Sequence, residues 1–143
     1  MAKGVKNKQR SGFQNAAVST VQNNKAEIIK ASGGKPVVTD LRIGKHPNKI
    51  RLVMDLTKPV EYSIDYDRAA SALYVEMPYA AWAADKDADV INSYIANRYD
   101  IEKTKQGVRL MIDVENGIEI GASGVLKANG VQNDRLFIDI EKR

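Results

Sequence analysis

Arginine, an apolar residue and aspartate occur at every second position twice in the chain, as Arg51, Val53, Asp55 and again as Arg109, Met111, Asp113. A guanidinium grips carboxylates bidentately, so a repeated Arg with Tyr74 or Phe137 nearby would form a flat surface of donors and apolar rings. Such a surface suits a sugar ring or an acidic peptide. The same residues also permit a purely structural reading, in which Arg51 pairs with Glu76, and Arg109 with Asp139, across neighbouring strands.

Catalytic chemistry has little to draw on. The chain has no cysteine and a single histidine, His46, followed by a proline in a turn-like cluster. That excludes thiol chemistry, a zinc ribbon and a Cys/His pair, and leaves serines without a histidine partner. No glycine-rich phosphate loop stands at a strand-to-helix junction. Asp55 and Asp113 would need to lie about 5 to 9.5 Å apart across a cleft to hydrolyse a glycoside, whereas outward positions on opposite sheets separate them. The expectation is a non-enzyme with no cofactor and no metal.

The elements that carry these residues are duplicated. Residues 50–62 (IRLVMDLTKPVEY) recur without a gap as residues 108–120 (VRLMIDVENGIEI), at an offset of 58 residues. Ile50, Leu52, Met54 and Leu56 alternate with polar positions, as do Val108, Leu110, Ile112 and Val114, the period of strands with one buried face. Leu73–Met77 and Leu136–Ile140 close the two halves, with Tyr74 and Glu76, or Phe137 and Asp139, facing outward. Val37–Ile43 opens the first half, ending in a turn at residues 44–48, and Val90–Ala96 takes the same role in the second. That makes about four strands per half, two sheets and one core. Asn116-Gly117 reads as a hairpin turn, and Lys58-Pro59 inherits that assignment. Residues 78–89 read as a crossover loop or one helical turn, in which Tyr79 and Trp82 cover a sheet edge or meet a ligand. Gly121, Gly124 and Gly130 read as a last long loop.

Charge is unevenly spread. Residues 1–36 hold seven Lys and Arg against one Glu, while residues 37–143 hold fifteen against seventeen. The first segment reads as a flexible basic tail with a weak helix across Val18–Ala31, opposed by its Asn, Ser and Thr residues. It is a solvated linker in preference to a nucleic-acid arm. No apolar run follows the basic start, so no signal peptide and no membrane span are read. Taken literally, that leaves the product in the cytoplasm.

The stretch VTDLRIGKHPNKIRLVMDLTKPVEY with LYVEMP, then QGVRLMIDVENGIEI and NDRLFIDI, resembles the AMIN domain. That module targets bacterial N-acetylmuramoyl-L-alanine amidases and stands at the front of some secretins. The resemblance covers about residues 37–143. It implies a β-sandwich of two symmetrical four-stranded sheets, and a non-catalytic role in holding an envelope protein at peptidoglycan. Position by position, Arg51 and Asp55 match the family's first Arg and Asp, Arg109 and Asp113 its second copy, and Arg135 and Asp139 its closing strand. Arg68 departs from the pattern, separated from Leu73 by four residues. A periplasmic location follows from the resemblance once an export signal is supplied. The alternative is a protein assembly module of a pilus or secretion secretin.

Overall fold

The computed structural model describes residues 24–85, 91 and 93–143. Among these residues the chain is mostly β, with one short helix, α1, over residues 24–31, and nine strands in two sheets. The strands are β1 (Val37–His46), β2 (Lys49–Leu56), β3 (Ser63–Asp67), β4 (Ala72–Pro78), β5 (Ala81–Trp82), β6 (Ala96–Lys103), β7 (Gly107–Val114), β8 (Ile118–Leu126) and β9 (Asp134–Lys142). The expected tail is thus helical over residues 24–31, and its residues 1–23 lie outside the described residues. Serine ends the helix: Ser32 Oγ donates to the Ile29 carbonyl at 2.6 Å, satisfying one of the last-turn acceptors.

One sheet runs in the order β5-β1-β2-β9-β8 and the other β3-β4-β7-β6. This corrects the expectation of two four-stranded sheets: a fifth strand, the two-residue β5, lies parallel to the start of β1. Trp82 therefore covers a sheet edge. The remaining eight strands correspond in order, β1-β2-β9-β8 with β6-β7-β4-β3, so each sheet takes one hairpin from each half of the chain. Alternation is the physical basis. Ile50, Leu52, Met54 and Leu56 are at most 2% exposed, and with Leu73, Val75, Leu110, Ile112, Leu136 and Ile138 they form one core shared by both sheets.

Several local expectations give way to this arrangement. β2 and β3 are not a hairpin, and neither are β7 and β8, because Lys58-Pro59 and Asn116-Gly117 carry the chain from one sheet to the other. Gly117 adopts the left-handed conformation expected of a tight turn, with φ +74°. Turn chemistry sets the bend, but the apolar faces of β2 and β7 are covered only when each is a central strand, flanked by β1 and β9, or by β4 and β6. The turn at residues 44–48 contracts to Pro47-Asn48, since Gly44, Lys45 and His46 pair with Arg51, Ile50 and Lys49.

Of Val90–Ala96, expected to open the second half, residues 90 and 92 lie outside the described residues, and the described remainder up to residue 95 is not in a strand. Residues 93–95 form a turn, held by the Ser93 amide donating to the Ala96 carbonyl at 2.9 Å, and the strand is β6 beyond it. A register shift between Ala96 and Arg98 breaks the alternation there and hides the strand from a period-two reading. Gly121 and Gly124 fall within β8 rather than in a loop, at a shift between Ile120 and Ser123.

Candidate functional site

The exchange of hairpins decides which charges meet. β2 lies beside the closing strand of the other half, β9, so Arg51 stands opposite Asp139; β7 lies beside β4, so Arg109 stands opposite Glu76. The pairs expected within each half, Arg51 with Glu76 and Arg109 with Asp139, are therefore exchanged. Arg51 Nε donates to Asp139 Oδ1 at 2.7 Å and its Nη2 to Oδ2 at 2.9 Å, a bidentate pair. Its guanidinium lies 4.9 Å from the Phe137 ring centroid. On the other sheet Arg109 Nε donates to Glu76 Oε2 at 2.7 Å, with the guanidinium 5.6 Å from the Tyr74 centroid. The duplicated strands thus build one constellation twice, on the outer face of each sheet.

The two copies differ in solvent access. Asp139 is 2% exposed and also lies 3.6 Å from Lys49 Nζ. The hydrogen bond from Arg51 holds its carboxyl below the ordinary carboxylate range; burial opposes this, and the charges of Arg51 and Lys49 reinforce it. The Glu76 side chain is 37% exposed, and Arg109 shares itself with a second acid, its Nη1 donating to Glu102 Oε1 at 3.2 Å. Both arginines are held more firmly protonated, first by the hydrogen bond to the facing acid. Each keeps further N–H donors for a ligand.

Asp55 and Asp113 also part company. Asp55 Oδ1 accepts from Arg42 Nη2 at 2.7 Å. Asp113 faces Arg98 in register without an ion pair among the described residues, and between them opens a hollow of about 270 Å³, lined also by Tyr74, Asp100 and Met111. Arg135 stands opposite Asp55, whose carboxylate Arg42 already holds, and Arg135 Nε is buried without an acceptor among the described residues. The acids on the sheet of β3, β4, β7 and β6 are accordingly the more exposed.

Four members of these faces, Arg42, Lys49, Arg98 and Glu102, were not singled out by sequence. Alternation alone would have found Lys49, two positions from Arg51; Arg42 lies on the neighbouring strand and is brought to Asp55 only by pairing, and Arg98 and Glu102 lay hidden behind the register shift in β6. His46 ends β1 at an exposed turn. Among the described residues no group of three or more His, Asp and Glu could hold a metal ion, and no helix is long and apolar enough to cross a membrane. No protein-family model matches the chain, and no curated protein matches it.

Proposed function

We propose that this chain is a non-catalytic module of the AMIN type, a quasi-symmetrical β-sandwich that binds peptidoglycan and localises an envelope protein such as a cell-division amidase. The observation that carries the reading is the constellation built twice: Arg51 with Asp139 and Phe137, and Arg109 with Glu76 and Tyr74. Guanidinium donors beside an aromatic ring offer hydrogen bonds to hydroxyl and carboxylate groups and an apolar platform to a sugar ring. Two opposite faces suit attachment to a mesh, where a second contact raises avidity without any new kind of interaction. A periplasmic location follows from that ligand.

Sedimentation with purified sacculi tests the reading. Wild type is expected in the pellet at moderate salt, and Arg51→Ala and Arg109→Ala are each expected to weaken binding, since both guanidiniums are partly exposed beside an aromatic ring. Wild type remaining in the supernatant sinks the proposal.

A second reading, an assembly module for a secretin-like partner, is favoured by one feature. β8 lies at the end of its sheet and carries a single charged residue, Glu119, along nine residues. A long, weakly charged edge is a template for strand addition. Association with an envelope protein that rises with concentration, without sacculus binding, distinguishes it.

A further inference from the structure

At one end of the two-sheet body lies a cavity of about 360 Å³ that neither arginine constellation lines. Ile28 of α1, Trp82 of β5 and Val108 of β7 form its apolar floor, and Lys35, Lys103 and Lys105 stand around it. Trp82 is 8% exposed and Val108 3%. The loop between β6 and β7 that carries Lys105 is well fixed. The Thr104 amide donates to the Gly107 carbonyl at 2.8 Å, the Gly107 amide to Thr104 Oγ1 at 3.0 Å, and the Tyr79 amide to the Gln106 carbonyl at 2.6 Å.

Two features set the chemistry of this cavity. No Asp or Glu among the described residues lines it, and none of the three lysines forms an ion pair among the described residues, so no acid of its lining offsets their charge. Trp82 Nε1–H is buried without an acceptor among the described residues. A buried donor of this kind is ordinarily satisfied by protein, water or ligand. The volume falls at the small end of ligand cavities, enough for one sugar ring or a short peptide end.

We propose that the cavity binds a carboxylate-bearing sugar, the lysines taking the carboxylate and the apolar floor taking the ring face. The choice of a sugar acid over other carboxylates rests on the cell-wall reading above. The site is separate from both outer faces and adds a chemical selectivity that they lack.

Trp82 is the single tryptophan of the chain, so its indole N–H resonance reports on this cavity alone. The probes are N-acetylmuramic acid, N-acetylglucosamine, which has the same ring without the lactyl carboxylate, and inorganic phosphate. The expected result is a saturable indole shift with N-acetylmuramic acid, and affinity weaker by about tenfold or more for the other two. K103A/K105A should lose that binding with an unchanged melting temperature, and K103R/K105R should keep it. The proposal is overturned by no indole shift with N-acetylmuramic acid, by an equal response to N-acetylglucosamine or to phosphate, or by full retention in K103A/K105A. Sacculus sedimentation of the wild-type chain separates the two claims. No indole response to N-acetylmuramic acid with sacculus binding intact removes the cavity site alone, and an indole response without sacculus binding removes the wall-targeting reading alone.

Discussion

Replacing Asp139 with Asn should cost far more stability than replacing Glu76 with Gln, although the two residues occupy equivalent places in the repeat. Asp139→Asn keeps the shape of the side chain and removes its charge. The carboxylate accepts two hydrogen bonds from Arg51, at 2.7 and 2.9 Å, and is 2% exposed. A hydrogen bond to a charged group contributes about 1.5–3 kcal/mol, and breaking a fully buried pair costs about 3–5 kcal/mol. The Arg51 side chain is 44% exposed and regains water when its partner is lost, which brings the expected loss to about 2 kcal/mol. Glu76→Gln, at a side chain 37% exposed, should cost no more than about 0.5 kcal/mol.

Urea denaturation measures both. With a slope of about 1.5 kcal/mol per molar, Asp139→Asn lowers the midpoint by roughly 1.3 M near neutral pH. The gap depends on pH with a definite sign. The folded pKa of Asp139 is lowered, so its stabilisation is complete above the unfolded value of about 3.9 and is lost as pH falls through the lower folded value. The gap between wild type and Asp139→Asn should therefore narrow progressively as pH falls below the unfolded value of about 3.9. A gap that stays undiminished throughout acidification, or a Glu76→Gln loss equal to that of Asp139→Asn, refutes the reasoning.

Gly107→Ala should destabilise by about 1–3 kcal/mol, since an added Cβ would collide with the Met77 carbonyl and lie 2.8 Å from the Tyr79 amide; thermal melting checks it. Leu110→Ala, at a core position with no exposure, should cost about 2–5 kcal/mol in the same assay, whereas its outward neighbour Met111→Ala should cost much less. Gly117→Ala should lose about 1 kcal/mol, because φ +74° is strained for any residue with a Cβ, and urea midpoints would show it.

Period-two alternation along β2, β4, β7 and β9 determined which side chains are inside, because a strand with one buried face allows only one choice of core. It also determined that Arg51, Asp55, Arg109, Asp113 and Asp139 face outward. The duplication by itself determined that the two halves supply equivalent strands, while the hairpins it suggested at Lys58-Pro59 and Asn116-Gly117 are crossings between sheets. What the sequence left open is the neighbour of each hairpin, since the hydrogen bonds of one strand edge are the same whichever strand supplies the other side. Tertiary structure decided that, by covering the central strands β2 and β7 on both flanks, and the exchange of hairpins followed. Hence Arg51 meets Asp139 rather than Glu76. The register shift in β6 arises only from its pairing with β7, and the cavity beneath α1 only from packing that brings Ile28 to Val108, more than 50 positions away, where no local pattern announces it.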